Sequence, residues 1–119
     1  MLQTHTLIRD LDQHEGKEVV LRGWVYHKRD IGKIRFLVIR DGTGYAQGVV
    51  VKKEVDPSVF DAAGALTQES SFEMQGTVRK EARAPGGFEI GVRALKAFHI
   101  APEYPISPKE HGVEFLMDN

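Results

Sequence analysis

Four aromatic rings, Trp24, Tyr26, Phe36 and Tyr45, stand within residues 16–53, a stretch that carries nine Lys or Arg residues against three acids. That stretch is +6, and the remaining residues, with seven basic and fourteen acidic groups, are −7. A chain whose formal net charge is only −1 thus contains a basic, ring-bearing segment, the pattern of a surface for a polyanion. Unpaired bases stack on rings, Lys and Arg track phosphates, and a polar amide reads base edges. The cations available for this are Arg29, Lys33, Arg35, Arg40, Lys52 and Lys53, and Gln47 is a polar residue inside an otherwise apolar run. The competing reading is that the rings form core and the cations a solvated face. Trp24, next to Gly23, is expected to pack inward. Phe36 lies on a strand with apolar residues on both faces, so alternation alone leaves its side open.

Other chemistries find no footing. His5, His14, His27, His99 and His111 show no ligand spacing and no His-Glu helix motif. The acids are scattered, with no pair spaced for general acid–base work. The stretch Ala84-Pro85-Gly86-Gly87-Phe88-Glu89 lacks the Lys-Ser/Thr of a phosphate-binding loop. With no cysteine, thiol catalysis, disulfides and thiolate metal sites are excluded, and a cytoplasmic protein is expected. No metal, cofactor or catalytic residue is expected in this chain. The loop at 83–89 is read either as a ligand-contacting loop or as a plain hairpin.

The elements that must position these residues are mostly strands. At 119 residues, 41% hydrophobic and 28% charged, the chain reads as one soluble domain with a single core. No apolar run approaches the ~18 residues of a membrane span, and the acidic start is not a signal peptide. A short helix is expected over 6–13, with Thr6 as N-cap and Gly16 as the stop. Strands follow over 18–30, 34–40 and 45–52, the latter two joined by Asp41-Gly42-Thr43-Gly44. Gly23 is expected to mark a bend or bulge in the first strand. Asp56-Pro57 starts a helix that Gly64 limits, and two further strands run over 71–79 and 88–100, the last broken near Arg93-Ala94. Strand, strand, strand, helix, strand, strand is the order of a mainly β, five-stranded Greek-key OB-fold barrel, with an open antiparallel sheet as the alternative. The barrel occupies 1–101. Residues 102–119, with Pro102, Pro105 and Pro108, read as a Pro-rich hinge leading to a further domain that is absent.

The segment GWVYHKRDIGKIRFLVIRDGTGYAQGVV resembles the N-terminal anticodon-binding domain of the aspartyl/asparaginyl class II aminoacyl-tRNA synthetases. The strand APGGFEIGV and the tail YPISPKEHGVEFLMDN fit as well, and the tail is more similar to asparaginyl than to aspartyl members. The resemblance implies that Phe36 stacks on the middle anticodon base, a uracil, and that Gln47 hydrogen-bonds it. It places Arg29 near the first base, a guanine, and Glu89 against the anticodon. Tyr26 with His27, and Ala84 with Pro85, would face the third base. Lys33, Arg35, Lys52 and Lys53 are the expected phosphate contacts. The partner implied is tRNA, tRNA(Asn) first, selected for asparaginylation with ATP and Mg²⁺ by a homodimeric parent ligase. This chain alone would be monomeric, without cofactor and inactive. The same domain of an aspartyl enzyme, one accepting both tRNAs included, and a stand-alone single-strand-binding OB module are the alternatives.

Overall fold

The structure, a computed structural model, describes residues 5–102. It contains strands β1 (Glu18–Ile31), β2 (Ile34–Arg40), β3 (Tyr45–Val51), β4 (Ser71–Lys80) and β5 (Phe88–His99), with helix α1 (Pro57–Ala65) between β3 and β4. They close into a barrel in the order β1-β2-β3-β5-β4, with β4 returning to β1. Among these described strands, only β3 and β5 pair in parallel. This is the expected OB-fold, and closure removes the exposed edges that an open sheet would leave.

Alternation decides which side of each strand fills the barrel. Leu21, Gly23 and Val25 point inward on β1, with Arg22, Trp24 and Tyr26 outside. On β2 the two-faced pattern resolves in favour of Leu37 and Ile39, which are buried, while Phe36 and Val38 lie on the outer face, half-buried. Phe72, Met74 and Val78 complete the filling from β4. Fully burying side chains of this size stabilises by ~1.5–3 kcal/mol each. Helix α1 starts at Pro57 and covers one end of the barrel with Phe60 and Ala63. The Lys28 ammonium donates to the Gly64 carbonyl at 2.6 Å and the Arg35 guanidinium to the Phe60 carbonyl at 3.1 Å. Lys28 thus satisfies a carbonyl in the last turn of the helix, where positive charge is favoured, while Arg35 reaches a carbonyl in its middle.

Several local expectations are corrected. The first helix is a 3₁₀ helix, Ile8–Gln13, and Thr6 does not cap it: the Thr6 N–H donates to the Val20 carbonyl at 2.7 Å. The cap comes from far along the chain, because an Asp41 carboxylate oxygen accepts the Ile8 N–H at 2.9 Å. The other Asp41 oxygen takes the Thr43 N–H at 2.8 Å and the Thr43 hydroxyl at 2.6 Å. Burial works to raise the Asp41 pKa, but the bonds from the Thr43 hydroxyl and the Ile8, Thr43 and Gly44 N–H groups together hold it below the ordinary value. The irregularity in β1 falls at Tyr26, between the pairs Val25↔Ile39 and His27↔Val38, rather than at Gly23. Gly23 serves close approach instead: a Cβ there would lie 2.2 Å from the Arg40 carbonyl oxygen. The break expected in β5 is a bulge at Arg93, where the β4 pairing steps from Gln75↔Ala94 to Gly76↔Val92. Strand β3 ends at Val51, and Lys52–Glu54 form a short 3₁₀ turn. Apart from Pro102, the hinge expected over 102–119 lies outside the described residues. Among the described residues, no helix is long and apolar enough to cross a membrane.

Candidate nucleic-acid interface

Strand register sets the outer face. Partners across a ladder present side chains to the same side, so each row of partners is a row of neighbouring side chains. One row runs Arg29, Phe36, Val49, Gly91 across β1, β2, β3 and β5. The next runs His27, Val38, Gln47, Glu89. Four residues separated widely in sequence are therefore brought together by pairing alone.

Arg29, Phe36, Gln47 and Glu89 line one groove of about 290 Å³, closed on its far side by Glu81, Arg83 and Ala84. The Arg29 guanidinium carbon lies 5.1 Å from the centroid of the Phe36 ring, a cation–π contact. Glu89 is paired with Arg79 at 2.9 Å, and its other oxygen lies 3.5 Å from the Gln47 side-chain nitrogen. A Cβ at Gly91 would stand 3.2 Å from the Arg79 guanidinium, so the bare glycine leaves room for the arginine to reach Glu89. The chain Arg79–Glu89–Gln47 turns the Gln47 amide nitrogen toward Glu89, so that its carbonyl oxygen, an acceptor, faces away from that carboxylate.

The other expected residues divide by location. Tyr26 and His27 are exposed on the outer face of β1. Pro85 is half-buried in the 3₁₀ turn Pro85–Gly87, next to Ala84 in the groove wall. Lys33, Lys52 and Lys53 are exposed at the barrel end that α1 covers, where the Lys52 N–H donates to the Lys33 carbonyl at 2.9 Å. Arg35 is not brought to the groove. Its guanidinium is stacked 4.1 Å from the Phe60 centroid, paired with Asp30 at 2.8 Å and bonded to the Phe60 carbonyl, so it holds the helix. Trp24 is a correction: it stands on the outer face, 41% exposed, because Gly23 and not Trp24 takes the inward position. Glu81 was missed as a groove residue, and Arg83 was named only as part of the candidate loop at 83–89. Their only signal was a charged cluster just ahead of Pro85, and loop composition does not say which way such charges point.

The family model for the OB-fold nucleic acid binding domain matches residues 19–97, which spans all the groove residues. The chain belongs to this tRNA anticodon OB-fold family. Among its relatives, the asparagine–tRNA ligase of Desulforamulus reducens is 56% identical over 113 residues, covering 95% of this chain and 26% of the relative. The chain therefore spans about a quarter of the length of the curated relatives that it matches. Among solved structures, the asparaginyl-tRNA synthetase of Pyrococcus horikoshii complexed with asparaginyl-adenylate superposes with a TM-score of 0.79 at 38% identity, over 91% of this chain and 25% of that one. An aspartyl tRNA synthetase from Entamoeba histolytica reaches 0.73 at 25% identity, over 87% and 23%. The asparaginyl branch is thus favoured over the aspartyl alternative and over a stand-alone OB module.

Proposed function

We propose that this domain recognises the anticodon of tRNA(Asn) for an asparaginyl-tRNA synthetase. The observation that carries the reading is the meeting of Arg29, Phe36, Gln47 and Glu89 in one groove. A uracil stacks on Phe36, and its N3–H donates to the Gln47 carbonyl oxygen, which the Glu89–Arg79 pair keeps turned outward. Arg29 sits beside that base and donates to the preceding guanine, whose N7 and O6 both accept. Tyr26, His27 and the Ala84–Pro85 wall meet the third base. Lys33, Lys52 and Lys53 attract phosphates without reading sequence.

The domain supplies recognition only. In the parent ligase, ATP, Mg²⁺ and asparagine belong to the catalytic part, which also makes the homodimer; the domain alone is a monomer, and both work in the cytoplasm. Binding of anticodon stem-loops with GUU, GUC and GAU triplets, each at two salt concentrations, tests the reading. Preference for GUU over GUC carries the asparaginyl assignment, and equal affinity for those two shifts it to relaxed aspartyl-type recognition. If GAU bound as tightly as the others, no middle-base readout would exist and the proposal would fail.

A further inference from the structure

Beyond the groove, the same outer face carries a second group of rings. Trp24, Tyr26 and Tyr45 are 41%, 46% and 45% exposed. Register joins them: Trp24 sits opposite Arg40, and Arg40 opposite Tyr45. Tyr26 follows on the same face by alternation, and its ring meets that of Tyr45 edge to face, with centroids 5.3 Å apart and planes at 81°. The Arg40 guanidinium lies 5.3 Å from the Trp24 ring and is ion-paired with Glu69, whose φ of 71° is a left-handed conformation unusual for a side-chain-bearing residue. On the other side of Tyr45 a cleft of about 290 Å³ opens toward Arg9 and Phe88. A contiguous exposed group of rings is the informative exception on a protein surface.

We propose that this patch, through Trp24 and Tyr45, is a second stacking station, which receives an unpaired base of the bound RNA other than the middle base held on Phe36 and the third base met by Tyr26 and His27. The inference rests on the anticodon reading above. Three features select an RNA strand as the occupant. The patch continues the groove on one face, because Tyr45 is two residues from Gln47 along β3, and Arg40 is four residues from Phe36 along β2. At ~3.3 Å per residue this places the patch ~13 Å from the Phe36 ring, a span that a splayed strand crosses. Cations stand on two sides of it, Arg40 against Trp24 and paired with Glu69, and Arg9 in the cleft beside Tyr45, which Asp12 also lines. Ring faces accept any base, so the station adds affinity without adding sequence preference.

The test is a cycle between protein side chain and base. A GUU stem-loop and its variants with one abasic nucleotide at each unpaired position are titrated against wild type, Tyr45→Leu, Trp24→Leu and Phe36→Ala. Leucine keeps apolar bulk but removes the ring, and the two ring variants are read separately so that a folding defect in one does not decide the result. The expected result is one abasic position, distinct from the middle and third bases, that weakens wild-type binding by about 5- to 150-fold, the equivalent of one base–ring stack. The same lesion should cost little in Tyr45→Leu or Trp24→Leu. If every abasic lesion and both ring variants combine independently, the station does not exist. Coupling confined to the middle and third bases would leave the anticodon reading intact and remove the station; no coupling anywhere would remove both.

Discussion

The Arg29 guanidinium and the Phe36 ring are cross-strand partners already stacked on each other, 5.1 Å from guanidinium carbon to ring centroid. One face of the ring is therefore covered by a cation, and a base has the other face or must displace the arginine. Phe36→Ala should weaken binding of a GUU stem-loop by about 1–3 kcal/mol, measured by fluorescence anisotropy, and Phe36→Tyr should restore most of it. Because Phe36 lies outside the core, the urea midpoint should hardly move. Unchanged affinity in Phe36→Ala would remove the ring from the binding site. In the same assay Arg29→Ala should show a loss that is not additive with that of Phe36→Ala, since the two form one surface.

Arg35 and Lys53 carry the same charge and should behave oppositely. Arg35 holds the Phe60 carbonyl, Asp30 and the Phe60 ring, so Arg35→Ala should cost roughly 1.5–3 kcal/mol of stability, seen in chemical denaturation. Lys53 is exposed, so Lys53→Ala should leave stability alone and reduce the slope of log affinity against log salt by about one. A wild-type denaturation curve for Arg35→Ala, together with a reduced salt slope, would return Arg35 to the phosphate contacts.

The contrast between Arg35 and Lys53 shows what was legible in the sequence. Strand order, α1 at Asp56-Pro57 and the break at Arg93 follow from alternation, proline and glycine, which act locally. So does the inward position of Gly23, although its bulge was misplaced by three residues, because a glycine marks bulges and close approaches alike. What sequence does not carry is pairing across the barrel. Gln47 meets Glu89 only because β3 and β5 run parallel, and Asp41 caps Ile8 only because the turn after β2 lies beside the first helix. Arg35 and Arg29 look equivalent until Leu37 and Ile39 are known to point inward, which sends Arg35 under the helix and Phe36 outside.

Asp41 provides a pH handle away from the groove. Burial pushes its carboxyl up, but the hydrogen bonds from the Thr43 hydroxyl and the Ile8, Thr43 and Gly44 N–H groups outweigh it and hold the folded pKa below the ordinary carboxylate value. A depressed carboxyl pKa contributes stability that is full above the unfolded value and is lost as pH falls through the folded one. The wild type should therefore lose stability below about pH 4, while Asp41→Asn should be less stable at neutral pH and flatter in that acid window. Thermal midpoints collected from pH 2.5 to 7 measure both, and parallel curves for the two proteins would show that Asp41 does not cap the first helix.

Gly86 and Gly87 allow the groove wall to be tested apart from backbone strain. Both are left-handed, with φ of 74° and 83°, so alanine at either is strained by about 1–2 kcal/mol. They differ in surroundings. A Cβ at Gly86 would stand 2.2 Å from the Tyr45 carbonyl oxygen, whereas one at Gly87 meets nothing within 4 Å. Gly86→Ala must push the 3₁₀ turn away from β3, and that turn adjoins Ala84 and Arg83 in the groove. Gly87→Ala leaves the turn seated, with its N–H still donating to the Ala84 carbonyl at 2.9 Å. Both variants should lose similar stability from strain, but only Gly86→Ala should lose affinity for the stem-loop beyond what its stability loss explains. Equal affinity in the two variants would mean that the loop at 81–87 closes the groove without touching what binds there.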